Sequence, residues 1–281
     1  MRRLTPWLQL LHFGPSVFTT LAFGVYIVLV ARGLPPAGPL LLLLSAQRAT
    51  QFAISLWNDY WDLPEDRIAK PDKPIPAGVI SAARVRMLGW IAVGVAFVLA
   101  APLGPLVVTC TAVGLGAGLL YDVRLKRTPW SPLPFALGFG VLPLWAAAGV
   151  GRAWDATVWT AAALTAWLVV ALHLADTLPD LDADRAAGLR GLAHILGHRA
   201  TLAVCWTALG SGLVAALLLG WLMRADGAIL AGTVVVGGGL LLAAILLYRQ
   251  RGVPALRPMA GMIEAAALLT ALGWLAAASL R

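Results

Sequence analysis

Charge is the scarcest commodity in these 281 residues: only 12% are Asp, Glu, Lys or Arg, against about 25% in an ordinary soluble domain. Cysteine is nearly absent as well. Cys110 and Cys205 both sit inside apolar runs, so there is no disulfide framework and each reads as a small helix-packing residue. These shortages exclude a soluble globular enzyme, a disulfide scaffold and a charged disordered chain. What is present instead is apolar: 60% of residues are hydrophobic, in long runs, and the mean hydropathy is +0.84. Such a chain is a polytopic membrane protein. Its net charge of +8 belongs to membrane edges facing anionic lipid rather than to nucleic acid.

A spanning helix needs roughly 17–25 apolar residues. Runs of that length predict nine crossings, at 15–32, 39–57, 87–103, 105–121, 133–151, 155–175, 200–222, 228–248 and 259–280. Pro102 and Pro105 divide what would otherwise be one overlong helix. Met1-Arg2-Arg3 resembles the start of a signal peptide, but no cleavage site follows, and the first run reads as a retained helix. Of 21 basic residues, 16 then fall on the side of Arg2, Arg67 and Lys126, and only Arg32, Arg152, Arg224 and Arg281 on the other. By the positive-inside rule the N-terminus is cytoplasmic. The expected fold is an all-α integral membrane bundle, one domain over 1–281, around a central cavity, in a prokaryotic plasma membrane.

The few acids are concentrated. Asp59, Asp62, Glu65, Asp66 and Asp72 lie after the second run, and Asp176, Asp180, Asp182 and Asp184 after the sixth. Carboxylates this dense repel one another unless a cation sits among them. The two windows also share Asp-Leu-x-x-Asp-Arg, at Asp62–Arg67 and Asp180–Arg185, an internal pseudo-repeat. Spacings of four predict one edge of Asn58, Asp62 and Asp66 and another of Asp176, Asp180 and Asp184, bent near Pro64 and Pro179. Hard oxygen ligands without His or Cys suit Mg²⁺, which is held by few carboxylates plus substrate phosphates. Asp59 is a further candidate ligand. Arg67, Lys73, Lys126 and Arg127 are candidates to hold phosphate oxygens. Steps of three and four down the second helix align Arg48, Gln51 and Ser55 with Asn58 as a cavity wall, with Glu264 a candidate partner for Arg48. His173, three residues before Asp176 on the same face, reads as a further cavity residue that makes a hydrogen bond behind the ligands, with a base toward an acceptor as the alternative. His12, His194 and His198 carry no readable signal.

The stretches NDYWDLPEDRIAKPDKPIPAG at 58–78 and DTLPDLDADRAAG at 176–188 resemble the paired Asp motifs of the UbiA-type intramembrane prenyltransferase family. Tyr121 and the following RLKRTPWSPLPFALGF resemble its segment after helix four. Lys73, Asp122 and Gly191 depart from the family's usual Arg, Ser or Thr, and Thr or Ser. The resemblance implies nine crossings and Mg²⁺-assisted ionisation of a polyprenyl diphosphate. It implies Asp62, Asp180 and Tyr121 at the catalytic centre, and capture of the prenyl cation by an aromatic or other lipophilic acceptor. Ring faces of Trp57, Tyr60, Trp61 and Tyr121 are candidates to steady that cation. A terpene cyclase, or phosphoribosyl transfer to a polyprenyl phosphate, needs the same clamp. A transporter would instead place charges near the midplane.

Overall fold

The computed structural model describes residues 5–186 and 188–280, so Arg2, Arg3 and Arg281 of the charge count lie outside the described residues. Lipid offers backbone groups no partners, so a spanning chain satisfies them within helices. The regular structure here is accordingly helical: α1 (Thr5–Leu10), α2 (Phe13–Ala31), α3 (Ala37–Trp61), α4 (Leu63–Ala69), α5 (Ala82–Ala100), α6 (Pro105–Val123), α7 (Pro132–Gly149), α8 (Ala156–Thr177), α9 (Leu181–Ala186), α10 (Leu192–Leu222), α11 (Gly227–Arg251) and α12 (Leu256–Ser279). Caps mark several starts. Asp155 accepts from the Thr157 N–H at 2.9 Å, and Asp226 from Ala228 and Ile229, which satisfies orphan donors of the first turn.

The predicted break between the third and fourth runs falls where Pro and Gly dictate. A short turn over Ala101–Leu103 ends at Gly104, whose φ of 102° suits glycine, and α6 begins at Pro105. Gly197, at φ 75°, breaks α10, so its first turn stands apart from the apolar run that the sequence starts near 200. Among the described residues, eight helical segments are long and apolar enough to cross a membrane. Of the nine predicted runs, the one missing from those eight is α3. It is 25 residues long, but Gln47, Arg48 and Gln51 dilute its hydropathy.

Helices α2, α3, α6, α7, α8 and α12 form the wall of the central chamber, with α5 against α3, and α10 and α11 against α8 and α12. Close crossings are made by small residues, as expected where packing drives association. At Gly140 of α7 an added Cβ would stand 2.9 Å from the Ala166 Cβ and 3.4 Å from the Ala162 carbonyl oxygen of α8. Neither neighbour can swing aside. Gly140→Leu is therefore expected to cost about 2 kcal/mol, read as a lower Tm in detergent, whereas Gly116→Leu, with open space around it, leaves Tm unchanged.

Candidate active site

The first acidic window is shaped by the end of α3. Pro64 cannot donate to a continuing ladder, so the chain turns at Asp62, whose carbonyl accepts from the Glu65 and Asp66 N–H groups at 3.0 and 2.8 Å. The carboxylates on either side of the turn then find different partners. Lys73 donates to Asp59 at 2.9 Å and to Asp66 at 2.7 Å, and His12 lies 3.5 Å from Asp59. Asp62 is gripped by Lys126 and receives the Asn58 amide at 3.2 Å. The edge of Asn58, Asp62 and Asp66 bends near Pro64 as expected, and it is split between two ammonium groups. Lys73 reaches back because Ile75 and Ile80 are buried with Leu10, Leu56 and Val85, which pins its loop under α3. Burial opposes the Lys73 charge, but hydrogen bonds and charges from Asp66 and Asp59 outweigh it and hold its pKa above the ordinary lysine value.

The second window follows α8 through a turn over Leu178–Asp180 into α9. Asp176, Asp180 and Asp184 line one polar hollow of about 180 Å³ together with Lys126, Tyr121 and His173. Lys126 therefore belongs to both windows: its ammonium grips Asp62, and it faces the three carboxylates of the other helix. Tyr121 lines the same hollow, and Lys126, which grips Asp62, brings the first window to its edge. Gly191 has a packing reason, since a Cβ there would stand 2.9 Å from the Lys126 carbonyl oxygen. The glycine lets the chain after α9 close over the Lys126 segment.

Two apolar chambers open from this hollow. One, of about 270 Å³, begins at Asp176 and runs between α2, α7, α8 and α12. The other, of about 250 Å³, begins at Tyr121 and is walled by α2, α3, α6 and α7, including Gln51, Phe135 and Trp145. They share Pro15, Thr19, Phe139 and Leu142. The arrangement is a polar mouth with two greasy arms.

Several expected residues stand elsewhere. Arg48 does not join the chamber wall. Its guanidinium lies over the rings of Phe13 and Phe52 at 5.6 and 5.3 Å, in a separate hollow with Thr20 and Val95. Glu264, its expected partner, lies across the bundle in the chamber of Asp176. Ser55 is buried, and of the stripe above Asn58 only Gln51 meets a chamber. Trp57 and Trp61 stack at 4.9 Å, and Trp57 also meets Tyr60 and Trp90 edge-on. These rings pack the α3–α5 face, and the aromatic lining of the chambers comes from Phe18, Tyr26, Tyr121, Phe135, Phe139 and Trp145 instead. Arg67 is exposed on α4 with no ion pair among the described residues, and Arg127 pairs with Glu65.

Other contacts had no counterpart in the sequence reading. Asp122, 4% exposed, accepts the Asn58 amide at 2.8 Å through one oxygen, and its second oxygen has no partner among the described residues. Ser131 accepts the Leu192 N–H and meets His173 Nε2, both at 3.1 Å. The Ser131 hydroxyl thereby ties His173 of α8 to the start of α10. Each uninformative histidine meets a carboxylate: His12 Asp59, His194 Asp184 at 3.6 Å, His198 Asp182 at 3.1 Å. The motif spacing gives no sign of these pairs, because each joins distant segments.

Among the described residues no three Asp, Glu, His or Cys are gathered closely enough to hold an ion. The chemistry of the donors nonetheless fits Mg²⁺. They are all oxygens, three of them line one hollow, the buried Asp122 oxygen is unsatisfied, and Lys126 already supplies positive charge where an ion would.

A model of the UbiA prenyltransferase family matches residues 16–263. The chain belongs to that family. Among curated relatives of this UbiA-family chain, the digeranylgeranylglyceryl phosphate synthase of Halobacterium salinarum is 38% identical over 149 residues, 52% of this chain and 53% of that protein. The match thus spans about half the length of that relative. Among solved structures, one described as digeranylgeranylglyceryl phosphate synthase in membranes superposes with a TM-score of 0.78 over 100% of both chains, at 14% identity. A UbiA homologue from Archaeoglobus fulgidus bound to GPP and Mg²⁺ superposes with a TM-score of 0.65, covering 96% of this chain and 99% of that one, at 17% identity. At such identities the likeness is one of fold.

Proposed function

We propose that this chain is a membrane-embedded prenyltransferase that moves an isoprenyl group from a prenyl diphosphate to a lipophilic acceptor. One observation carries the reading: a polar hollow lined by Asp176, Asp180, Asp184 and Lys126 adjoins two apolar chambers, one through Asp176 and one through Tyr121. A single-substrate cyclase needs one such chamber; a donor and an acceptor need two.

Asn58, Asp62, Asp66, Asp176, Asp180 and Asp184, with Asp59 behind them, are the residues to hold Mg²⁺. That ion would supply Lewis-acid neutralisation of the leaving diphosphate. Lys126 and Arg127 bind diphosphate oxygens, with Lys73 holding Asp59 and Asp66 in position and Arg67 at the outer rim. Tyr121 and Phe135 present ring faces to the allylic carbon as its bond to oxygen lengthens. The apolar arms exclude water that would otherwise capture the cation. Asp176, at the mouth of the chamber shared with Glu264, assigns that arm to the donor tail. Gln51, in the other arm, gives an acceptor head an amide to bond. The excess of Lys and Arg around these motifs orients the site to the cytoplasm, and α3, whose polar residues serve the site, is the ninth crossing of a single domain.

The purified chain with Mg²⁺ and geranyl, farnesyl or geranylgeranyl diphosphate tests the reading. It is offered no acceptor, geranylgeranylglyceryl phosphate, or homogentisate. Pyrophosphate release that requires an acceptor is the expected result. Cyclic hydrocarbons formed without acceptor favour a cyclase, and no release with any combination overturns the proposal.

A further inference from the structure

We propose that the hydrogen-bonded pair Tyr26–Thr165 is the floor of the chamber beside Asp176 and sets the length of prenyl chain the donor carries. This rests on the prenyltransferase reading and adds a residue-level limit to it. The lining of α2 runs from Pro15 down to Tyr26, and that of α8 from Asp176 down to Thr165. Each step is eleven residues, or about 16 Å at about 1.5 Å per residue. At the bottom the Tyr26 and Thr165 hydroxyls meet at 3.0 Å, a buried bond between helices. Leu142 and Ala271 fill the floor beside them.

The floor is rigid for a physical reason. Tyr26 is 1% exposed, and a tyrosine hydroxyl so deep in an apolar core needs a partner. Thr165 is that partner, so rotating the ring away would leave the buried Tyr26 hydroxyl without this bond. Phe23 and Ile27, both fully buried, sit on the neighbouring turns of α2.

The depth translates into chain length. An extended chain gains roughly 1.2 Å per main-chain bond, judged from the span of a three-bond residue. Four such bonds per isoprene unit give roughly 5 Å, so about three units reach from Asp176 to Tyr26. A fourth unit has to fold back or leave sideways past the exposed Phe18, and it buries nothing further against the protein. Removing the ring extends the floor. Filling Ala22, one turn nearer the mouth on the same lining, raises it.

The test uses full-length protein in detergent with Mg²⁺ and non-ionising thiolodiphosphate analogues of geranyl, farnesyl and geranylgeranyl chains, so no acceptor is needed. Calorimetry reads each Kd. The wild type is expected to bind the farnesyl analogue at least about tenfold tighter than the geranyl one, with no further gain for geranylgeranyl. Tyr26→Ala is expected to make the geranylgeranyl analogue the tightest ligand by about tenfold. Ala22→Phe, which tests the same floor without emptying the core, is expected to make the geranyl analogue the tightest. An affinity order that is the same in all three proteins, or that still climbs at geranylgeranyl in the wild type, overturns the floor alone. Failure of every analogue to bind the wild type overturns the prenyltransferase reading beneath it.

Discussion

Asp176→Asn is expected to lower prenyl transfer by about a hundredfold or more while leaving Tm near that of the wild type. The substitution keeps the side chain's size and one acceptor oxygen, removes the negative charge and turns the second oxygen into an amide donor. Asp176 is the one carboxylate common to the polar hollow and to the chamber of Tyr26. In the proposed function its charge would act where the diphosphate meets the first carbon of the tail. Transfer measured against Mg²⁺ concentration separates the explanations: loss of a ligand raises the Mg²⁺ requirement, whereas a merely structural fault lowers the plateau at every concentration. Chelation of the wild type is expected to abolish transfer, and added Mg²⁺ to restore it. Glu264→Gln, in the same chamber but beyond the hollow, is the comparison that reports on charge in the apolar arm.

Lys73→Met is expected to destabilise the fold by about 3 kcal/mol, because it strands two carboxylates rather than deleting one attraction. Asp59 and Asp66 are 3% and 5% exposed, and both depend on the Lys73 ammonium. An uncompensated buried charge is what makes breaking such a pair costly. Thermal unfolding should show the loss, and Asp59→Asn with Asp66→Asn in the same chain should recover most of it. The pH dependence has a definite sign. The folded pKa of Lys73 is raised, so its stabilisation is complete below the ordinary lysine value of about 10.5 and is lost as pH rises through the raised one. The wild type should therefore lose stability at alkaline pH more steeply than Lys73→Met.

The helices were legible because lipid leaves the backbone no alternative, and their ends because Pro105, Gly104 and Pro64 leave the ladder no continuation. The acidic windows were legible because nine carboxylates in two short stretches have no other use in so apolar a chain. Lateral packing was not legible. The stripe from Arg48 to Asn58 identifies a face of α3, but α5 and α6 both pack on that helix, and periodicity does not say which neighbour each side chain meets. Arg48 lies toward Phe13 and Phe52, while Gln51 meets the chamber. Trp57 and Trp61 carry the same ambiguity, and Trp90 of α5 resolves it. The partners of His12, His194 and His198 come from separate segments brought together only by folding. The role of Gly191 is of the same kind, since the backbone it must clear lies at Lys126.

The grip of Lys126 on Asp62 has a consequence for how the resting protein meets its ligands. Lys126 seats a counter-ion on Asp62, so that carboxylate adds little to the field of the mouth, which comes instead from Asp176, Asp180 and Asp184. If the proposed function holds, Asp62 would pass from Lys126 to a bound Mg²⁺, and the Lys126 ammonium would be free to hold phosphoryl oxygens. Because attraction at Asp62 is exchanged and not created, that part of capture should weaken little as salt is raised, in contrast to a site that recruits its ligand by bare electrostatic pull.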